Sequence, residues 1–304
     1  MIRKITIDDK EYPKLLRNIY NPPKALYVNG TLISQDEIAV ALVGSRRASF
    51  YGLETCEKLT YDLALRGVTI VSGMARGVDS AAHRGALKAN GRTIAVMGGG
   101  HNHIYPAENK ELYEKIAGTG AVVTEYEDDV EPLPFNFPQR NRIISGLSLG
   151  VVVVEAARNS GALITAGFAA EQGRTVFAVP GKVSSATSSG ANDLLRDGAR
   201  LVQTADDIME ELSIVEMTPL SGAAKADKDE AIAKKTKAYI YNSLTDDERK
   251  IYKILSDEPI HMDEVLSRTG IGSSKASKAL LNLELKKLIK EVPGKHFILR
   301  QSSG

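Results

Sequence analysis

Residues 38–47 read Ile-Ala-Val-Ala-Leu-Val-Gly-Ser-Arg-Arg, an unbroken apolar run that ends in a glycine, a serine and two arginines. Continuous apolar character, rather than strict alternation, is typical of a parallel strand that is buried on both faces. Further short runs rich in valine, isoleucine and threonine follow at intervals along the chain and predict strands of the same kind, at residues 69–71, 93–97, 121–124, 150–154 and 175–179.

Segments with helical spacing lie between these runs. Cys56, Leu59 and Leu63 recur on one helical face, and Ala82 and Ala86 recur on another. Alternating strands and helices imply right-handed crossovers and a parallel sheet covered on both sides. The sequence therefore predicts an α/β protein with a Rossmann-like, doubly wound, mostly parallel sheet. Cys56 is interpreted as a core residue on its helix.

The chain divides into four parts by composition. Residues 1–33 are an N-terminal lead-in, in which a strand at 25–28 is expected to close at the turn pair Asn29-Gly30. Residues 34–214 form the Rossmann-like domain, and residues 215–243, rich in alanine, lysine and aspartate, read as a linker. Residues 244–304 are predicted to form a small C-terminal winged-helix domain, with three helices followed by a hairpin.

Bulk composition excludes several classes of protein. A net charge of +1 indicates no general affinity for polyanions, so any site that binds a polyanion must be a local cluster of cations. A single cysteine rules out an internal disulfide and a multi-cysteine zinc site, and fits a reducing compartment. The N-terminus lacks the apolar stretch of a signal peptide, and no later run is long enough to span a membrane. We expect a cytoplasmic protein with no membrane partner.

Glycine and hydroxyl residues are concentrated where the predicted strands end. In an open α/β sheet, ligands bind beyond the carboxyl ends of the strands. Glycine lets backbone N–H groups approach a phosphate, and arginine offers it a bidentate fork. Three such loops in succession predict an anionic ligand. The residues expected to contact it are Gly44, Ser45, Arg46 and Arg47, then Ser72, Gly73, Arg76 and Gly77, then Gly99 and Gly100.

Residues 135–146 combine aromatic rings with a cationic helix start. Pro138 is expected to begin a helix that carries Arg140, Asn141 and Arg142, beside Phe137. Rings for base stacking next to phosphate-binding groups are what single-stranded nucleic acid requires. The other interpretation is that the phenylalanines belong to the core and that one of the arginines forms a structural ion pair. Motifs for dinucleotides or nucleoside triphosphates are absent from the sequence.

Other polar groups favour structural roles. His101 and His103 have no third ligand nearby in the sequence, so a loop contact is favoured over a metal. Asp79 and His83 are explained by a helix cap and a partly buried histidine. Residues 160–165 are expected to cap a helix. No nucleophile pairs convincingly with a base, and we expect no enzyme activity, no cofactor and no metal.

Seven separated motifs lie, in this order, at residues 44–46, 72–83, 105–106, 137–147, 160–166, 179–181 and 190–199. In order and spacing they resemble the signature of the DNA-processing protein A family, also called DprA or Smf. The resemblance runs from about Tyr12 to Ala199. It implies binding of single-stranded DNA, protection of incoming DNA and loading of the RecA recombinase in natural transformation, by a homodimer without catalytic turnover. By the same resemblance, Arg46 is the principal phosphate contact and residues 137–142 are part of the DNA pocket.

One departure from the family pattern and two rival functions complete the hypothesis. Ala107 stands where some relatives place a basic residue, so phosphate binding is expected to rest more on Arg46, Arg140 and Arg142. The winged-helix domain carries eleven basic against nine acidic residues, so protein contact and weak duplex binding remain equally open, and a transcription factor is disfavoured. The alternative enzyme is a nucleotide-processing hydrolase of the lysine-decarboxylase-like Rossmann type. Its glycine-rich loop followed by glutamate is not matched at residues 160–171.

Overall fold

The computed structural model describes residues 2–214, 245–255, 260–285, 289–292 and 294–299. These residues belong to two compact units, one N-terminal and one C-terminal. The predicted linker, residues 215–243, lies outside the described residues. No helix in the described ranges is long and apolar enough to cross a lipid bilayer.

The N-terminal unit contains a nine-stranded sheet in the order β1-β2-β6-β5-β4-β3-β7-β8-β9. All pairs from β6 to β9 are parallel, whereas β1–β2 and β2–β6 are antiparallel. The predicted doubly wound, mostly parallel sheet is therefore confirmed. Its strands are β1 (Arg3–Thr6), β2 (Ala25–Gly30), β3 (Ala39–Val43), β4 (Thr69–Ser72), β5 (Thr93–Val96), β6 (Ala121–Thr124), β7 (Gly150–Val153), β8 (Thr175–Ala178) and β9 (Arg200–Leu201).

Helices cover both faces of this sheet, which is why its central strands read as continuous apolar runs. In β3, Val40 and Leu42 pack into the core under one helical layer, and Ala39, Ala41 and Val43 pack into the other. The helices are α1 (Lys14–Arg17), α2 (Phe50–Leu65), α3 (Val78–Lys88), α4 (Lys110–Thr119), α5 (Asn136–Gly146), α6 (Gly161–Glu171), α7 (Ser189–Arg196) and α8 (Ala205–Glu211).

The lead-in is part of the main sheet. The strand predicted at residues 25–28 is confirmed as β2, and it pairs with β6. The turn predicted at Asn29-Gly30 is wrong, because both residues continue the strand and pair with Val122 and Ala121. Buried Tyr12 donates a hydrogen bond from its hydroxyl to the carbonyl of Pro23 at 2.7 Å, which closes the segment between β1 and β2.

The C-terminal unit has its own core and the predicted winged-helix architecture. Thr245 and Glu248 form the expected capping box, and Gly270 ends the second helix in the left-handed conformation. Its elements, in chain order, are α9 (Asp246–Ile254), β10 (Ile260–His261), α10 (Met262–Thr269), α11 (Ser273–Leu285), β11 (Ile289–Val292) and β12 (His296–Leu299). The three strands form a sheet of order β10-β12-β11.

Candidate nucleic-acid interface

A cleft of about 620 Å³ opens at the carboxyl edge of the sheet, where β3 and β7 lie side by side. The chain runs from β3 toward β6 on one side and from β7 toward β9 on the other, so this is the point where the strand order reverses. Ligands of open α/β sheets bind at such a point. Its lining is Val43, Gly44, Ser45, Arg46, Ala75, Asp79, Tyr105, Pro132, Pro134, Phe137, Pro138, Arg140, Asn141, Ile144, Ala157, Asn159, Ser160, Gly161, Ala162, Ile164 and Thr165.

The loop after β3 is held at both ends by one residue of the β7 side. The carbonyl of Glu155 accepts a hydrogen bond from the Ser45 N–H at 2.6 Å. Its carboxylate accepts hydrogen bonds from the N–H and the hydroxyl of Ser49, at 2.9 and 3.0 Å. Glu155 is 3% exposed, and its second oxygen accepts a hydrogen bond from Thr187. Arg46 to Ala48 therefore form the tip of a loop that is attached to Glu155 at both ends.

Gly77 packs closely against the same loop at Ser45. It has a φ of 75°, and a Cβ built on it would overlap the Ser45 carbonyl oxygen, so only glycine fits there. The next residue, Val78, donates its N–H to that carbonyl at 3.2 Å. The glycine loop after β4 thus acts on the cleft by supporting Ser45.

Two arginines lie against one aromatic ring inside the cleft. The guanidinium carbon of Arg46 is 5.3 Å from the ring centroid of Phe137, and that of Arg140 is 5.8 Å from it. The ring of Tyr105 packs on Phe137 with centroids 5.5 Å apart. Arg46 is exposed and has no hydrogen-bond or ion-pair partner among the described residues. Its guanidinium is held by the ring while its N–H groups stay free for a ligand.

Arg140 is a buried cation. It is 3% exposed, and its Nη1 donates hydrogen bonds to the carbonyl of Gly73, at 2.7 Å, and to that of Val96. A Cβ on Gly73 would lie 2.5 Å from Nη1, so glycine makes room for the guanidinium. Burial lowers the pKa of Arg140 to about 10 and Arg46 adds to that effect, whereas Asp79 opposes it. Arg140 remains charged at neutral pH.

The charges that line the cleft sum to a cationic surface. Arg46 and Arg140 face one carboxyl group, that of Asp79, which accepts a hydrogen bond from the Ala75 N–H at 3.3 Å. Burial raises the pKa of Asp79, and the Arg140 guanidinium opposes the rise. Because Asp79 is buried whereas Arg46 is exposed, the outward-facing charge of the cleft is positive.

The start of α6 forms the other wall. Ser160 caps the helix by accepting a hydrogen bond from the Ala162 N–H at 3.3 Å, as predicted for this segment. Asn141 donates from Nδ2 to the Gly161 carbonyl at 3.3 Å, which ties α5 to this helix start. Polar groups of Asn141 and Ser160 thus line the cleft opposite Arg46.

The structure brings Gly44, Ser45, Arg46, Phe137, Arg140 and Asn141 together, as the sequence predicts, but it leaves other predicted residues outside the lining. Arg142 points from α5 toward the lead-in and forms a bidentate pair with Glu125, with both N–O distances at 2.7 Å. Arg76 pairs with Glu108 outside the cleft. Arg47 is exposed at the loop tip beyond the cleft.

The remaining predicted contacts have structural partners. Ser72 is buried and donates its hydroxyl to the Leu42 carbonyl at 2.6 Å. Gly73 and Gly77 serve Arg140 and Ser45, as described above. Gly99 and Gly100 pack against the backbone of residues 127–132, and the Gly100 N–H donates to the Val130 carbonyl at 2.7 Å. The triple glycine therefore positions the segment that leads into α5.

Sequence reasoning missed two contributors to the cleft. Glu155 lies one residue past the strand predicted at 150–154, and a carboxylate directly after four valines is a signal for a buried polar role. Tyr105 appears in the sequence analysis only within the motif at residues 105–106.

The start of α5 differs from the prediction. Pro138 is expected to begin this helix, but the helix begins at Asn136, whose side chain donates a hydrogen bond to the Gly98 carbonyl at 2.9 Å.

His101 and His83 are buried and have structural partners. His101 is buried and contacts the Tyr113 hydroxyl at 2.9 Å through Nδ1 and the Tyr27 carbonyl at 3.0 Å through Nε2. His83 is fully buried rather than partly buried, and its Nδ1 lies 2.7 Å from the Thr93 hydroxyl. Within the described ranges no group of three or more metal-ligating side chains could hold an ion.

The fold and the site define a class of protein: a Rossmann-like α/β unit with a cationic, aromatic-lined cleft at its switch point, accompanied by a winged-helix unit. The family model described as DNA recombination-mediator protein A matches residues 3–213, and the DprA winged helix domain matches residues 236–295. The chain belongs to this DprA/Smf family, which confirms the resemblance found in the sequence.

Relatives and solved structures agree with this assignment. Protein Smf of Escherichia coli is 40% identical over 98% of this chain and 78% of its own length. The solved structure of DprA from Streptococcus pneumoniae is 43% identical, with a TM-score of 0.67 over 69% of this chain and 74% of that one. A structure of the Helicobacter pylori protein, concerned with its single-stranded DNA binding mode, is 31% identical, with a TM-score of 0.62 over 69% and 96%.

Proposed function

We propose that this protein binds single-stranded DNA in the cleft between β3 and β7 and acts as a recombination mediator. The observation that carries the proposal is the exposed guanidinium of Arg46, which lines a cationic cleft with its carbon 5.3 Å from the Phe137 ring centroid. Proteins that bind single strands combine cations for the backbone with aromatic faces for the bases. Here Arg46 supplies the cation and Phe137 supplies the aromatic face, and the two side chains lie against each other.

Each wall of the cleft has a role in this proposal. Arg46 and the braced backbone of Gly44 and Ser45 bind a phosphate, and the exposed edge of the aromatic pair Tyr105 and Phe137 receives a base. Arg140, being buried, contributes positive potential more than direct contact. The polar side chains of α5 and α6 supply further hydrogen-bonding groups to the nucleotide.

The wider biological role is inferred from family membership. We propose that the protein protects incoming DNA, passes it to the RecA recombinase in natural transformation, and acts as a cytoplasmic homodimer. Relatives carry names such as DNA processing protein, and the family description is recombination mediator, which support this role. RecA strand exchange on DNA coated with single-strand-binding protein tests it: this protein should shorten the lag, and an Arg46→Glu variant should not.

We also propose that binding proceeds without turnover. The cleft holds one carboxyl group, Asp79, and it lies buried next to Arg140 rather than free beside a nucleophile. A nucleotide hydrolase of the related Rossmann type would release free base from a nucleoside monophosphate. Release of base by the purified protein, abolished by Asp79→Asn, would replace binding with catalysis as the main activity.

Fluorescence anisotropy with labelled oligonucleotides tests the central proposal. Single-stranded DNA should bind more tightly than a duplex of the same sequence, because stacked bases in a duplex cannot reach the aromatic pair. The affinity should fall steeply with salt, with a slope set by the number of phosphates contacted. Equal affinity for both forms, or an affinity independent of salt, would refute the proposal.

A further inference from the structure

Two aromatic side chains stand exposed immediately beyond the cleft. Phe50 is 81% exposed and Tyr51 is 57% exposed, at the first two positions of α2. Neither lines the cleft described above. Packing within the N-terminal unit gives no reason for a phenylalanine at position 50, and exposed aromatic surface commonly marks an interaction site.

Their position relative to the cleft is set by Glu155. This residue binds Ser45 and Ser49, so the chain leaves the cleft at Arg46 and returns to the protein body one residue before Phe50. Four chain steps separate Arg46 from Phe50, which limits their Cα separation to about 14 Å. Both aromatic residues thus lie on the segment that directly follows the proposed phosphate contact.

The loop that leads into the pair is cationic, and the first acidic residue after it is the exposed Glu54, one helical turn beyond Phe50 on α2. Residues 44–53 contain Arg46 and Arg47 and no acidic residue, and the first turn of α2 has none either. Arg47 is exposed, and its guanidinium has no partner in the part of the chain that the structure describes. Glu155, the carboxylate in contact with this loop, is buried and satisfied by Ser49 and Thr187. A polyanion therefore meets no repulsive charge on this loop.

The ring of Tyr51 is tethered at its hydroxyl by one hydrogen bond. Its hydroxyl donates a hydrogen bond to the Pro180 carbonyl at 3.4 Å. A ring that is already oriented loses little conformational freedom when a base stacks on it. Phe50 beside it offers a second, purely apolar face.

We propose that Phe50 and Tyr51, with Arg47, form a second stacking surface, on which bases of a single strand lie after the strand leaves the cleft past Arg46. This inference rests on the proposed function, because it extends the same DNA path. A single strand is favoured over a protein partner because the surface is continuous with the cationic cleft and its loop carries positive charge only. A second copy of this chain that docks on the aromatic pair is the competing occupant.

Oligonucleotide length separates the second surface from the cleft. Wild-type protein should bind an oligothymidylate of about 20 nucleotides more tightly than one of about 6, a length within the range of a single site. Phe50→Ala should weaken binding of the longer strand about tenfold and leave the shorter one unchanged, because stacking on one aromatic ring contributes on that order. Tyr20→Ala, which removes an aromatic residue that is 95% exposed in the lead-in, is the matched control and should change neither affinity.

A fluorescent reporter gives an independent readout. The chain contains no tryptophan, so Phe50→Trp introduces a single one. The longer oligothymidylate should quench its fluorescence, whereas the shorter one should leave it unchanged. In the control variant Tyr20→Trp, neither strand should quench.

The outcomes separate the two proposals. If wild-type protein binds neither strand, the proposed function fails and this inference fails with it. If wild-type protein binds both strands but Phe50→Ala binds the longer one as well as wild type, the inference alone is overturned. Sedimentation velocity completes the test: a shift of Phe50→Ala toward monomer, with its DNA affinity intact, would assign the aromatic pair to self-association instead.

Discussion

The carboxylate of Glu155 accepts two hydrogen bonds from Ser49, one from the backbone N–H at 2.9 Å and one from the hydroxyl at 3.0 Å. The two residues are 106 positions apart in the chain, and they join the end of β7 to the start of α2. Because the Glu155 backbone also binds Ser45, one residue determines the shape of the loop that presents Arg46. The position of Arg46, the proposed phosphate contact, therefore depends on a residue outside the lining of the cleft.

Replacement of Glu155 should weaken both the fold and DNA binding. Glu155→Ala leaves the hydroxyl of Thr187 and the polar groups of Ser49 without their partner, a loss of about 1–3 kcal/mol in the free energy of unfolding. Urea denaturation measures that loss, and anisotropy under native conditions measures affinity. Glu155→Gln keeps an acceptor for Ser49 and should lose less of both. Full affinity in Glu155→Ala would show that the loop needs no brace.

Arg142 should prove to be a structural residue. Its bidentate pair with Glu125 is largely buried, with side chains 11% and 17% exposed, and its Nε also donates to the Asn21 carbonyl at 3.1 Å. Arg142→Ala leaves a carboxylate without its partner and should lower the free energy of unfolding by about 3 kcal/mol. The folded fraction should bind DNA with wild-type affinity.

A double variant checks the cause of that loss. Arg142→Met combined with Glu125→Leu removes both charges and should recover most of the stability, because no unpaired carboxylate remains. A drop in DNA affinity and in its salt dependence, in a fully folded Arg142→Ala protein, would instead make Arg142 a phosphate contact.

His83 should make the fold sensitive to acid. Its Nδ1 lies 2.7 Å from the Thr93 hydroxyl, which itself donates to the Ile70 carbonyl, so Nδ1 carries the proton of a neutral ring. Burial, reinforced by Arg140, lowers the pKa of His83 to about 3. The unfolded chain, whose histidine has its ordinary pKa, therefore binds more protons between about pH 6.5 and pH 3.

Stability should consequently be highest above about pH 6.5 and should fall as the pH drops through that window, by roughly 2 kcal/mol at pH 5 from His83 alone. Urea denaturation of wild type and His83→Asn across this range measures the difference. Asp79, whose pKa is raised in the folded state, acts in the opposite direction, and subtraction of the variant removes its effect. Parallel pH profiles for the two proteins would rule out His83 as the source.

The sheet was predictable because burial on both faces leaves a strong trace: six apolar runs correspond to β3 to β8. The place of the loop after β3 in the cleft was also predictable, because the ends of parallel strands locate the edge of the sheet where ligands bind. The segment around Phe137 was recognisable by its combination of rings and arginines. The pairing of Asn29 and Gly30 with β6 was not predictable, because an Asn-Gly pair that continues a strand has the same local sequence as one that forms a turn.

Which arginine serves the cleft could not be read from the sequence. Arg140 and Arg142 are two residues apart on α5, and about 100° per residue turns them to different faces. One lies on Phe137 and the other reaches Glu125 and the lead-in. Likewise, the brace from Glu155 to Ser49 joins distant parts of the chain, and neither residue type reveals the other. Local pattern locates cations and rings, whereas tertiary packing decides where each side chain points.

The salt dependence of single-stranded DNA binding by Arg46→Ala tests the central claim most directly, with Arg76→Ala, whose arginine pairs with Glu108 outside the cleft, as the matched loss of one cation. If the free guanidinium of Arg46 binds a phosphate, Arg46→Ala should lose about tenfold in affinity or more, and the slope of log affinity against log salt should become shallower by about 0.7. Arg76→Ala should retain both values. A wild-type affinity and slope in folded Arg46→Ala would contradict the proposed interface.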